Sequence, residues 1–171
     1  SLGNLAGLLS NQGKLDEAEP LYREAVEARR ETLGARHPHT LAVINNLAVL
    51  LKDQGKLDEA EPLYREALEA RRETLGARHP DTLKSMSNLA QLLKAQGKLD
   101  EAESLFREAV SISTEVLGAE HETTKFAVGW LELLTVERII AVLGNAQKAH
   151  RLAQQNTLWE RVRRWRGASD S

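Results

Sequence analysis

Cysteine is absent from the 171 residues. Without a thiol there is no disulfide framework, no thiol chemistry and no cysteine-containing zinc site, and the redox compartment is left open, with a reducing interior as the default. Aromatic residues are scarce at 4% while hydrophobic residues reach 42%, so any core is built from Leu, Ala and Val rather than from packed rings. The formal charge of -2 gives no global pull toward nucleic acid or an anionic membrane. No apolar run approaches the ~20 residues needed to span a bilayer, and no signal peptide opens the chain. A glycine-rich phosphate loop, a metal-spaced cluster and a nucleophile beside a base are all missing, so neither catalysis nor a cofactor is expected.

What the chain has instead is repetition. The 42-residue block from Gly13 to Gln54 returns from Gly55 to Gln96 with only eight changes. A third copy opens at Gly97 with GKLDEAESLFREAV, and GNLAGLLSNQ at residues 3–12 reads as the tail of an earlier one, as if the chain were cut from something longer. A period of this size marks one supersecondary unit stacked on copies of itself, each burying an apolar face it could not bury alone.

Each unit divides into two helices. From Thr40 to Gln54, Leu41, Ile44, Leu47, Ala48 and Leu51 recur at steps of three and four, which predicts an amphipathic helix A stopped by Gly55. Ala60, Leu63, Tyr64, Ala67 and Leu68 continue the pattern as an antiparallel helix B ending at Gly76. The turn at residues 76–80 starts the next A helix, with Pro80 suited to a first helical position and Asp81 to the positive end of the dipole. Pro20 and Pro62 fall in the expected first turns of B helices, which places the starts at Asp16 and Asp58 as carboxylate caps. Residues 1–12 then close a truncated helix A. Residues 13–54 and 55–96 each hold a helix B and the next helix A, and 97–143 a third helix B with a lengthened fourth helix A.

Asn46, Leu47, Ala48, Leu51, Gly55, Leu57, Ala60, Tyr64 and Ala67 stand at the spacing of the tetratricopeptide signature, in which small residues let helices A and B approach. The unit here is eight residues longer than the usual ~34 and resembles the 42-residue variant of kinesin light chains and nephrocystin-type proteins over residues 1 to about 125. The resemblance implies an all-α, right-handed superhelical solenoid of antiparallel helix pairs. It implies a protein-interaction adaptor or scaffold in the cytoplasm, with microtubules or cilia as its associated structures. The same long repeat also occurs in signalling proteins behind nucleotide-binding domains.

The eight changes sharpen this expectation. One is Val26 against Leu68, and the other seven lie in helix A or its cap. Positions 39, 42, 46, 49 and 53 share one helix face, and four of the five vary: His39 with Asp81, Ala42 with Lys84, Val49 with Gln91, and Asp53 with Ala95. In this architecture A helices line the concave side, so a fixed scaffold carrying a varied recognition stripe is one reading; drift on a solvated face after duplication is the other. The invariant member forms a ladder of Asn4, Asn46 and Asn88. Amides supply donor and acceptor together and can hold the backbone of an extended peptide whatever its sequence, or they can bond the neighbouring helix and set the stacking. The resemblance implies the peptide-holding role, since kinesin light chains use matching asparagines for cargo peptides. Lys84, with Lys52 and Lys94 at the groove end, is placed to attract acidic residues of such a guest.

In the fourth unit the stripe positions carry Phe126, Trp130 and Leu133, forming either an aromatic pocket or a face covered by the following segment. The next glycine falls at Gly144 rather than at position 139, which lengthens this helix and adds Ile139, Ile140, Val142 and Leu143. Residues 144–166 read as a worn, capping helix B, and 167–171 as a disordered tail. The tail's Trp159, Val162 and Trp165 with intervening arginines suggest contact with an anionic membrane or RNA, or plain packing on the last unit; otherwise neither nucleic acid nor membrane is expected as a partner. His37, His79 and His121 repeat at one turn position, too far apart for a shared metal, and read as cap or surface residues. Beside the adaptor reading stand the sensor arm of a nucleotide-driven signalling protein and a self-associating structural array.

Overall fold

The structure, a computed structural model, describes residues 1–143. The expected capping helix at 144–166, the basic Trp-bearing segment and the tail at 167–171 lie outside the described residues. Among the described residues the chain forms α1 (Leu2–Asn11), α2 (Leu15–Leu33), α3 (Pro38–Asp53), α4 (Leu57–Leu75), α5 (Pro80–Ala95), α6 (Leu99–Leu117) and α7 (Glu122–Leu143). Each packs chiefly against its neighbours in sequence, with lesser contacts between α1 and α3 and between α5 and α7. Such near-neighbour packing is what a stack of hairpins requires. The fold is an all-α solenoid of antiparallel helix pairs.

Small and large residues divide the seam between helices. Ala18, Ala60 and Ala102 are wholly buried at equivalent positions and let the hairpin close, while Tyr22, Tyr64 and Phe106 fill the space one turn on. The A helices α3 and α5 are the more deeply buried members of the stack. Leu41, Ile44, Leu47, Ala48, Leu50 and Leu51 of α3 are all buried, because this helix is covered by B helices on two sides.

The turn from A to B is closed by the backbone. Gly55 takes φ 78°, its N–H donates to the Lys52 carbonyl at 2.9 Å, and the Lys56 N–H donates to the Leu51 carbonyl at 2.8 Å. This pair of bonds satisfies helix-end carbonyls and requires a left-handed residue between them. It also carries the chain into helix B sooner than expected. Helix B starts at Leu15 and Leu57, with Lys14 and Lys56 in the cap position and no side-chain cap. The carboxylates of Asp16 and Asp58 instead accept from Gln54 and Gln96 of the following unit, at 3.0 and 3.1 Å. Pro20 and Pro62 consequently lie in the second turn rather than the first.

Helix A begins at Pro38 and Pro80, as the expected place of Pro80 at the first helical position requires. Pro38 and Pro80 occupy the first helical position, where a missing amide is harmless. The preceding histidine is the cap: Nδ1 of His37, His79 and His121 accepts from the backbone N–H of the residue two ahead, at 3.2, 3.1 and 3.2 Å. α7 runs for 22 residues against 16 in α3 and α5. Its extension leaves Ile139 50% and Val142 84% exposed.

Candidate functional site

The stripe on the A helices is built by helical spacing alone, since residues three and four apart stand above one another. Ala42, Asn46 and Lys84 are exposed, and Val49, Asn88 and Gln91 are half-buried. Asn4 is exposed on α1. The structure brings Ala42, Asn45, Asn46 and Lys84 together around an open hollow of about 240 Å³ between α3, α4 and α5.

The three ladder asparagines are not equivalent. Asn88 donates from Nδ2 to Oδ1 of Asn45 on the neighbouring A helix at 3.1 Å. It therefore ties α5 to α3 and keeps a second N–H and its carbonyl for other partners. Asn46 has no such neighbour, because the position that Asn45 holds for Asn88 is Gly3 one unit earlier. Its amide faces the hollow.

α4 contributes a residue that stripe spacing did not reveal. Arg71 is half-buried in the wall of the hollow and donates from Nη1 to Oγ of Ser85 at 2.5 Å. Ser85 is buried and passes its own hydrogen to the Asp81 carbonyl at 3.0 Å. Burial lowers the Arg71 pKa from the usual arginine value, and the nearby Asp81 carboxylate works in the opposite sense. The signal was present among the changes between units: Val43 gives way to Ser85, which supplies a hydroxyl where Arg71 needs an acceptor. The first unit has Arg29 at this position, opposite Val43 rather than a serine, and in the third unit the equivalent is Ser113, so only the second unit pairs the arginine with a hydroxyl.

Of the three lysines expected along the groove, only Lys84 is uncommitted. Lys94 pairs with Glu137 at 2.9 Å and sits 5.7 Å from the centre of the Trp130 ring. Lys52 lies 3.8 Å from its neighbour Asp53. Trp130 stacks on Phe106 of α6, with ring centres 6.2 Å apart and planes 1° from parallel. Leu133 is buried and Phe126 half-buried, so the fourth unit turns these positions into packing. Among the described residues no group of three His, Asp or Glu side chains is placed to hold a metal ion. No helix among them is long and apolar enough to cross a membrane.

With this geometry the chain can be set beside known proteins. No curated protein matches it. Among solved structures, the nearly identical TPR-like repeats of a Podosopora anserina protein described as a candidate kinesin light chain superpose with a TM-score of 0.75 at 24% identity, covering 99% of this chain and 95% of that one. BtubC (BKLC) from P. vanneervenii superposes with a TM-score of 0.74 at 23% identity, covering 99% of this chain and 63% of that one. Likeness at these identities shows the fold alone. The profile of the tetratricopeptide repeat family matches residues 1–73 and again 39–115. On that match over most of its length, laid on hairpins that stack in the same order, the chain belongs to the tetratricopeptide repeat family.

Proposed function

We propose that the chain is a protein-interaction module that captures an extended, acidic segment of a partner protein along the A-helix stripe. The observation that carries this reading is the hollow between α3, α4 and α5, where Asn46 stands beside Arg71 and Lys84. Asn46 and Asn88 supply donors and acceptors suited to a peptide backbone, which every partner has. Arg71 and Lys84 against Asp81 leave one positive charge in surplus, which selects a carboxylate side chain. Ala42 leaves the floor low enough for the guest backbone to approach. Trp130, drawn onto Phe106, ends the run of open amides at the third unit. The setting is that of an adaptor rather than of an enzyme.

An array of short peptides probed with the purified chain tests this. Acidic, proline-poor peptides should be retained over neutral and basic ones. Substituting Asn46→Ala should weaken all of the retained peptides alike, by about tenfold, whereas Lys84→Glu should weaken the acidic ones selectively. Equal retention of acidic and basic peptides, or indifference of the acidic ones to Lys84→Glu, would remove the groove from the mechanism.

A further inference from the structure

The hollow between α3, α4 and α5 holds more hydrogen-bond donors than one carboxylate can use. Arg71 spends one of its five N–H groups on Oγ of Ser85, at 2.5 Å. Ser85 is itself anchored on the Asp81 carbonyl at 3.0 Å, so the guanidinium is held in place and its remaining N–H groups are left for a ligand. Asn45 accepts through Oδ1 from Asn88 at 3.1 Å, which leaves it the two N–H of its own amide to offer. Asn46 and Lys84 are exposed, and neither is tied to another side chain among the described residues.

The other boundaries between units do not repeat this set. At the one before, Gly3, Arg29 and Ala42 stand at the positions of Asn45, Arg71 and Lys84, and at the one after, Ser87, Ser113 and Phe126 do. Two cations and two amides from three helices therefore converge once among the described residues, around a hollow of about 240 Å³. Asp81, the one carboxylate in the lining, opposes them. Its side chain is 60% exposed and screened by water, however, whereas Arg71 is half-buried and keeps its field. A carboxylate brings two oxygens and a single charge to such a place. A phosphate monoester brings three terminal oxygens and a charge of about −1.5 to −2 at neutral pH, and its geometry matches the guanidinium fork.

We propose that the side chain best suited to this hollow is a phosphorylated serine or threonine of the guest segment, held by Arg71, Lys84 and the amides of Asn45 and Asn46. The inference rests on the reading of the stripe as a peptide groove and sharpens it: a carboxylate enters the hollow, and a phosphate uses its donors. Capture of the partner is then strengthened when a kinase has acted on the partner, which makes the groove a regulated one.

Pools of short degenerate peptides, identical except for phosphoserine, glutamate or serine at the central position, test the proposal when titrated with the full chain by fluorescence anisotropy. The phosphoserine pool should bind about tenfold tighter than the glutamate pool, with the serine pool weakest. Lys84→Ala, a change at an exposed position that leaves the helical circular dichroism unaltered, should weaken the phosphoserine pool about tenfold. Arg71→Lys keeps the charge but loses the fork, and should bring the phosphoserine and glutamate pools level. If the parent chain binds these two pools equally and both above serine, the phosphate is overturned and the acidic groove stands. If it binds all three pools equally, both fall. A phosphoserine preference that survives both substitutions would put the phosphate elsewhere on the chain, and displacement of the phosphoserine pool by inorganic phosphate at equal concentration would make the free ion the occupant; either result overturns the proposal.

Discussion

At the scale of single residues, the second unit differs from the first by placing a hydroxyl under an arginine. Arg29 and Arg71 are equivalent, but Val43 faces the first and Ser85 the second. Val43 and Ser85 are both buried, so a valine fits this position and the hydrogen bond is what the serine adds there. A bond from a half-buried guanidinium is worth more than one between neutral groups, and losing it leaves charge beside an apolar methyl. Substituting Ser85→Val should therefore lower the unfolding free energy by about 1–2 kcal/mol, as read from urea titration. The same change in an Arg71→Ala background should cost little, since the acceptor then has no donor to satisfy. Equal losses in both backgrounds would show that Ser85 serves the Asp81 carbonyl rather than Arg71.

At the scale of the helix, each A helix from α3 onward starts with the same device, an imidazole accepting a backbone hydrogen bond ahead of a first-turn residue that would otherwise leave its amide bare. Replacing His79→Ala removes the acceptor and should cost about 1 kcal/mol, whereas His79→Asp, a good cap in its own right, should restore it. Thermal unfolding followed by circular dichroism distinguishes these outcomes, and identical melting of both variants would reduce the histidine to a surface residue. The helices, their order and their glycine stops were legible in the sequence, because a 3.6-residue rhythm repeated across units leaves few alternatives. The start of helix B was not, because Asp16 has the look of a cap while the backbone turn at Gly13 makes a cap unnecessary. For the candidate site, the exposure of Ala42, Asn46 and Lys84 followed from spacing on one helix. Arg71 and the Asn88–Asn45 bond did not, since both depend on how separate helices meet. Leu133 shows the limit in reverse: it holds a stripe position yet is buried, because α7 turns its apolar residues onto α6.

At the scale of the whole molecule, the cores of the units are joined by apolar contacts, while ion pairs such as Arg23–Glu59 and Arg65–Glu101 link each B helix to the next on the outside. The best-protected carboxylates at these boundaries are Glu19 and Glu61, each held by the lysine that opens the following B helix, Lys56 at 2.6 Å and Lys98 at 2.7 Å. The hydrogen bond from Lys98 dominates in holding Glu61 at about 2, against the opposing pull of burial and with help from Arg65. Because this value lies below the 4.5 of an unperturbed glutamate, folding binds fewer protons at this site than the unfolded chain does. The stabilisation is therefore complete above about pH 4.5 and is lost as pH falls toward 2. Glu61 is 16% exposed but Lys98 is 42% exposed, so solvent screening limits the pair to about 1 kcal/mol or less. The deficit of a Lys98→Ala variant relative to the parent, measured by thermal unfolding across this range, should be largest at neutral pH, shrink below pH 4.5 and close near pH 2. Added salt should narrow it at neutral pH as well, since the lysine end stands in water. A deficit that stays constant with pH would mean that Lys98 contributes through its aliphatic stem, packed at the unit boundary, and that the order of the hairpins is set by shape alone.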